Sequence, residues 1–304
     1  MSNKRPLNER DLKISSLYRK GFKIFEIVKA INGEVKDDAV RNSLIKQGLW
    51  KSSISSVQYD MDLLLNLHTN ADGWYLIGLL LADGSVSVVG KGDTGKLFKK
   101  VTWEIDKKDE TSLVNIRDHY AKGAAIYERK TRPLVSLTWS NTTFVEYLEG
   151  YGVQVNKRAV EMPTISPVLL ENKIFAKAFL AGYFDGDGCI SIDRRCFSTK
   201  LNVSAATPVW EEVHKVLDFV GFTYSANKSH NAWVSCTFNN PSNSLALLID
   251  IYNTTDLVFI RRKERLREVL KLTLQSPVRY KSYIDRLKEA DVTGYFLEGV
   301  TCNT

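Results

Sequence analysis

The sequence predicts an α+β fold in which a helix followed by two β-hairpins occurs twice, preceded by a small all-helical domain. Three observations carry this. Leu76–Gly84 (LIGLLLADG) and Leu180–Gly188 (LAGYFDGDG) are two versions of one apolar, small-residue helix ending in Asp-Gly. Alternating, strand-like stretches follow each copy in the same order. The first fifty residues lack that alternation and read as short helices broken at glycines.

With 304 residues and 44% hydrophobic content, the chain has the length for two or three domains with buried cores. Cys189, Cys196, Cys236 and Cys302 form no C-x-x-C pair, and the histidines have no zinc-ligand spacing. Reduced thiols in an intracellular, cytoplasmic protein are expected, nucleoid-associated in a bacterium or phage. No apolar run is long enough to span a bilayer and no apolar signal core opens the chain, so no membrane partner is expected. The net charge is +7, and residues 1–50 carry eleven Lys/Arg against six Asp/Glu. Most of the excess sits in one module, which points to a polyanionic partner.

In that module, helices are expected over residues 8–20, 24–31 and 37–47, punctuated by Gly21 and Asn32-Gly33. Leu12, Leu17, Phe25, Ile27, Val28, Ile31, Val40 and Leu44 supply one compact core. The short glycine-containing turn before the third helix suggests a helix-turn-helix over residues 1–50, with Lys36, Arg41, Asn42 and Lys46 on the recognition helix. A plain three-helix bundle with a solvated basic face is the alternative. Residues 51–70 begin serine-rich and read as a linker.

The first repeat follows over 71–165. After its helix, Ser85–Val89 alternates, and Lys100, Thr102 and Glu104 alternate with Val101, Trp103 and Ile105, the period of half-buried strands. Gly90–Lys96 (GKGDTGK) only approaches a phosphate-binding loop, because Leu97 stands where Ser or Thr would hold magnesium and a strand follows. It reads as a hairpin turn. Residues 126–130 and 134–140 form a second hairpin about a Thr-Arg-Pro turn, with Val135, Leu137 and Trp139 facing inward and a helix between the hairpins. The second repeat, 166–275, restates the order: Ile190 and Ile192, then 201–205, a helix over 209–220, and strands over 222–226 and 232–238. Residues 276–304 add a helix at 279–289 and a tail.

Each sheet leaves a polar outer face. The first offers Ser85, Ser87, Lys100, Thr102, Glu104, Arg129, Lys130 and Arg132; the second offers Ser191, Asp193, Arg195, Asn202, Ser204, Asn227 and Lys228. Mixed donors and acceptors are what reading base edges requires, although every antiparallel sheet of this kind has a polar outer face.

The repeated helices hold the sharpest signal. Gly78 and Ala82, like Gly182 and Gly186, are four apart and stack on one helix face, where a partner backbone approaches closely. Glycine inside a helix costs about 1 kcal/mol relative to alanine, a loss that close packing offsets. Two paired helices are the expected result. Asp83 and Asp187 then meet at helix C-termini, facing the negative ends of two macrodipoles. A divalent cation, Mg2+ or Mn2+, held by both carboxylates, waters and substrate phosphate oxygens satisfies that electrostatic demand. A solvated turn explains one Asp-Gly end; it is a poor account of two that lie 104 residues apart.

These residues resemble the motif of the LAGLIDADG homing endonucleases, in the single-chain form with two motifs. Leu180, Ala181, Gly182, Asp185, Asp187 and Gly188 match it closely. In the first copy Ile77 replaces alanine and Leu81 replaces the earlier acid, while Asp83 is kept. The resemblance covers residues 72–270 and implies two pseudo-symmetric αββαββα units packed through the paired helices, their sheets forming a saddle over double-stranded DNA. It implies a site-specific endonuclease that hydrolyses phosphodiesters with metal at Asp83 and Asp187 and leaves short 3′ overhangs. It further implies a lysine of each half near the scissile phosphates: Lys157, within Asn156-Lys157-Arg158, and Lys263, beside Arg262 after a strand-like run at 258–260. The offsets are similar, 74 residues from Asp83 to Lys157 and 76 from Asp187 to Lys263. Two unequal halves in one chain make a monomer with no required protein partner, and a long asymmetric target, the expectation. A catalytically inactive DNA-binding regulator and an RNA-binding intron maturase are the alternatives on the same fold; retention of both acids argues against a degenerate site.

Overall fold

A computed structural model of the chain describes residues 8–31, 35–47, 49, 57–91, 97–151, 153, 166–193, 198–228, 233–238 and 241–274. The chain divides into two compact units after Val57. In the first, helices α1 (Glu9–Arg19), α2 (Ile24–Ala30) and α3 (Asp37–Lys46) form. Asn8 caps α1 by accepting from Asp11 N at 2.8 Å, and Asp11 accepts in return from Asn8 N. Gly21 adopts φ +88°, a left-handed turn that ends α1 without Cβ strain. The core is Ile14, Ile27, Val35, Val40 and Leu44, with Leu17, Val28 and Ile31 packed beside it. Leu12 and Phe25, expected in that core, are instead 55% and 52% exposed. Each lies two residues before a core position, Ile14 or Ile27, and two helical steps turn a side chain by about 200°. Ser43 Oγ donates to Asp11 Oδ1 at 2.6 Å and Gln47 Nε2 to Asp11 O at 2.7 Å, tying α3 to α1. The Asn32-Gly33 turn lies outside the described residues.

Residues 58–70, read from the sequence as the end of a linker, are structured. β1 (Gln58–Tyr59) pairs with a later strand, α4 (Met61–Leu64) follows, and a 3-10 turn (Leu67–Thr69) leads into α5 (Ala71–Asp83). Asn70 caps α5 by accepting from Gly73 N at 2.7 Å. From Gly73 to Leu81 every residue of α5 is buried, the signature of a central helix rather than a surface one. β2 (Gly84–Lys91) starts directly after Asp83 and pairs with β3 (Leu97–Asp106), so strands flank residues 92–96, which are themselves outside the described set. A second 3-10 turn (Lys107–Asp109), α6 (Glu110–Tyr120), β4 (Ala121–Lys122, the partner of β1), β5 (Ile126–Glu128), β6 (Leu134–Trp139) and α7 (Thr142–Gly150) complete this half. The sheet runs β2-β3-β6-β5, antiparallel throughout. Val101, Trp103 and Ile105 of β3 and Val135, Leu137 and Trp139 of β6 form its buried face, with Trp103 and Trp139 edge to face at 4.6 Å.

The second half restates the order. It comprises α8 (Ser166–Leu169), α9 (Lys173–Asp187), β7 (Gly188–Asp193), β8 (Ser198–Ala206), α10 (Thr207–Val220), β9 (Tyr224–Lys228), β10 (Trp233–Phe238) and α11 (Pro241–Tyr252). Asn172 caps α9 by accepting from Ile174 N and Phe175 N. The sheet runs β7-β8-β10-β9, the same hairpin order as the first. The run 258–260, read as strand-like, forms no strand: Val258 and Phe259 are buried in a connecting loop, and Ile260 begins α12 (Ile260–Leu274). Three apolar residues have no period that separates strand from loop or helix. The expected helix at 279–289 and the tail lie outside the described residues.

Candidate active site

Helices α5 and α9 pack through their glycine faces. A Cβ on Gly78 would stand 2.1 Å from the carbonyl oxygen of Phe179, and one on Gly182 would stand 2.0 Å from that of Tyr75. This is one contact made twice, since Phe179 follows Tyr75 by the 104 residues that separate the two glycines. Further along, a Cβ on Gly186 would meet Ala82 Cβ at 2.4 Å and Asp83 Cγ at 3.3 Å. Gly78, Ala82, Gly182 and Gly186 therefore all lie in the contact. Its last turn sets Asp83 against Gly186, the residue before Asp187.

Both acids end their helices without an intervening loop. Gly84 and Gly188 each open a strand, and a Cβ there would stand 2.5 Å from Leu80 O or 2.4 Å from Phe184 O. Glycine thus lets the backbone turn from helix into strand in one step, and Asp83 and Asp187 remain half-exposed at the mouth. Tyr183 lies beneath them. It is buried, its hydroxyl is 3.3 Å from Ser204 O, and it also hydrogen-bonds the Asp187 carboxylate. Burial first, then the charge and hydrogen bond of Asp187 and the charge of Asp83, hold its proton in place. One neutral phenol therefore feels both acids. Sequence reasoning passed over Tyr183 because an aromatic inside an apolar helix reads as core.

Asp185 has a different environment from the terminal acids. It is buried and accepts from Tyr75 Oη at 2.7 Å, Tyr252 Oη at 2.6 Å and Phe259 N at 2.8 Å. Burial raises its pKa to about 6, although Tyr252, Phe259, Tyr75 and the Arg262 charge all pull the other way. It joins α9 to α5, to α11 and to the loop before α12. The positions 104 residues away hold Phe179 for Tyr75 and Leu81 for Asp185, so an apolar pair stands there in place of the polar one.

Lys263 sits on the first turn of α12, half-buried. Burial lowers its pKa and Arg267 adds to that, while Asp256 and Asp185 oppose it. Its neighbour Arg262 donates from Nη2 to Asp185 O at 3.4 Å, supplying positive charge at the negative end of α9. Lys157 and Arg195 lie outside the described residues.

On the first sheet, the register sets Ser85, Thr102 and Thr138 in one row, Ser87 and Lys100 in a second, and Glu104, Ser136 and Tyr127 in a third. Arg129 Nε donates to Glu104 at 2.6 Å, and Lys130 and Arg132 are exposed between β5 and β6. On the second sheet, Ser191, Asn202 and Ser204 share a face with Ser235, Thr237 and Asn227, and Asp193 is the last residue of β7. Lys228 does not belong to that face. It pairs with buried Val234, and because successive strand residues alternate faces, Asn227 and Lys228 cannot both point outward. Lys228 is exposed only at the end of its strand. Sequence reasoning also missed Tyr127 and Trp233, 61% and 48% exposed, because aromatics in alternating stretches count as inward residues. In the N-terminal unit, Arg41, Asn42 and Lys46 are exposed on α3 while Val40 and Leu44 face its core.

Among the described residues, no group of three or more His, Cys, Asp or Glu is placed to hold a metal ion. The pair Asp83 and Asp187 suits magnesium even so, because that ion keeps several waters and takes one or two carboxylates with substrate phosphates. No helix of the described residues is long and apolar enough to cross a membrane.

No protein-family model matches the chain. Among curated proteins, 178 residues, 57% of the chain, are 26% identical to the DNA-directed RNA polymerase subunit Rpo1C of Methanocaldococcus jannaschii. The chain spans only 18% of that protein's length. Among solved structures, the I-SmaMI LAGLIDADG homing endonuclease bound to cleaved DNA has a TM-score of 0.49 at 12% identity, over 73% of this chain and 96% of that one. A mutant of I-SmaMI reaches 0.50 at 12% identity, over 73% and 97%. The fold is similar to that of a LAGLIDADG homing endonuclease. A variant of a second homing endonuclease, I-DmoI, has a TM-score of 0.43 at 14% identity, over 63% of this chain and 93% of that one.

Proposed function

We propose that the chain is a site-specific double-strand DNA endonuclease of the homing type, with Asp83 and Asp187 holding a catalytic divalent cation, Mg2+ or Mn2+. The observation that carries this reading is the meeting of two acid-tipped helices at Gly186, in a fold similar to that of I-SmaMI. Two carboxylates at negative helix ends make a site whose own electrostatics favour a cation. An ion held by Asp83 and Asp187 would supply charge neutralisation at the phosphate and a lowered pKa for the attacking water. The chain supplies the rest. Tyr183, kept neutral by burial, orients the Asp187 carboxylate without adding charge. Lys157 and Lys263 stabilise charge that builds on the scissile phosphates. In each strand one P–O bond breaks; water gives its oxygen to phosphorus and a proton to the leaving oxygen.

The two repeats form pseudo-symmetric αββαββα units whose sheets make a saddle over the duplex. Its polar rows read base edges, and the N-terminal helix-turn-helix adds contacts through Arg41, Asn42 and Lys46. The protein works as a monomer on a long asymmetric target, each half cutting one strand to leave short 3′ overhangs. With magnesium, purified protein is expected to linearise a plasmid carrying a target selected from random DNA. Asp83→Asn and Asp187→Asn are each expected to slow cleavage by roughly 10³-fold, while gel-shift affinity for the target is kept. Cleavage that survives both substitutions in one chain overturns the metal assignment.

A further inference from the structure

We infer that Asp109, in the first half, is a positioning residue for the basic start of α12, and through it for the cut that depends on Lys263; the inference rests on the endonuclease reading above. Asp109 is 4% exposed and closes the 3-10 turn before α6. Arg261 grips it with both arms of its guanidinium, Nε to Oδ1 at 3.0 Å and Nη2 to Oδ2 at 2.5 Å. A carboxylate this buried has to be paired, and a two-pronged guanidinium contact fixes direction as well as charge.

Direction matters because Arg261, Arg262 and Lys263 are consecutive on one helix. Neighbours on a helix point about 100° apart, so anchoring Arg261 sets the rotation of α12 and the headings of the two cations that follow. With Arg261 turned to Asp109, Arg262 faces the Asp185 carbonyl at the last turn of α9. Lys263 then comes under the charges of Asp256 and Asp185. The segment before the helix is fixed in the same manner. Thr255 Oγ1 donates to Asp72, in the first turn of α5, and accepts from Leu257 N at 3.1 Å. Phe259 N donates to Asp185 at 2.8 Å. Two of these anchors, Asp72 and Asp109, come from the first half, so carboxylates of one repeat hold the segment that carries the cations of the other.

Two variants separate charge from geometry. Asp109→Asn keeps the shape of the acceptor and removes its charge; Arg261→Lys keeps a charge and removes the fork. In the intact protein both are expected to speed amide hydrogen exchange at residues 260–266 by about tenfold or more, with residues 173–183 of α9 unchanged. In cleavage, both are expected to accumulate nicked circles, broken in the strand that Lys263→Ala still cuts, at unchanged KM for DNA. Exchanging the charges, Asp109→Arg with Arg261→Asp, is expected to restore linear product. Unchanged exchange at 260–266, equal slowing of both strands, or a nick in the opposite strand overturns the inference. Global unfolding of Asp109→Asn shows as loss of protection everywhere, and Arg261→Lys, the milder change, then decides. If the unaltered protein cuts no DNA, the endonuclease reading fails while the exchange result still judges the anchoring.

Discussion

Asp185 accepts hydrogen bonds from two tyrosine hydroxyls and a backbone N–H, yet burial lifts its pKa from 3.8 to about 6. The folded chain therefore binds a proton that the unfolded chain releases between those values. Stability from the neutral form is fully present below the unfolded pKa and is lost as pH rises through the folded one. At 1.36 kcal/mol per pKa unit, the loss by pH 7 is about 3 kcal/mol. Asp185→Asn removes the titration and leaves an amide oxygen for the donors. In urea denaturation the variant is expected to gain about 2 kcal/mol on the natural protein between pH 4 and pH 7; a gap that stays constant with pH contradicts the assignment. As a motif letter Asp185 was legible, but its partners Tyr252 and Phe259 lie 67 and 74 residues away, and no local pattern encodes that. The helix ends at Asp83 and Asp187 were legible because duplication marks them twice. Tyr183 was hidden by its apolar neighbours.

At the scale of elements, the α5–α9 contact is backbone against backbone. Alanine at 182 would set a Cβ 2.0 Å from Tyr75 O and 2.8 Å from Leu79 N, and neither atom belongs to a side chain that can swing away. The helices must then separate. Overpacking of this kind costs typically 1–3 kcal/mol, and the better helix propensity of alanine returns at most about 1 kcal/mol. Gly182→Ala is expected to destabilise the protein by about 2 kcal/mol in denaturant melts. Gly90→Ala, with nothing within 4 Å of the new methyl, serves as the control and is expected to change little. Spacing of small residues made the helix pair readable, and period-two alternation did the same for both sheets. Register is another matter. Lys228 went to the wrong face because nearness along the chain stood in for the alternation that pairs it with Val234. The start of α12 was misread because three buried apolar residues look alike in strand, loop and helix.

For the whole molecule, the repeat was legible from two motifs followed by hairpins in the same order, and the division after Val57 was foreshadowed by the charge of the first fifty residues. What the sequence hid is how tightly residues 58–70 belong to the second unit, since β1 is only two residues long and its partner β4 lies beyond α6. The division has a functional consequence. The N-terminal unit has its own core in Ile14, Ile27, Val35, Val40 and Leu44, while α5, α9 and both sheets lie in the second unit. Deleting residues 1–57 is therefore expected to leave the positions of the cuts unchanged. Affinity is a separate quantity, since residues 1–50 hold eleven Lys/Arg against six Asp/Glu, and each phosphate neutralised contributes about 0.9 to the slope of log K against log salt. If Arg41, Lys46 and their neighbours meet two to four phosphates, the truncated protein binds roughly 10–100-fold more weakly near physiological salt, with a slope shallower by about 2–4. Fluorescence anisotropy across a salt series reads both quantities at once. An unchanged slope means that the first three helices are a bundle with a solvated basic face, and that all DNA contacts belong to the second unit.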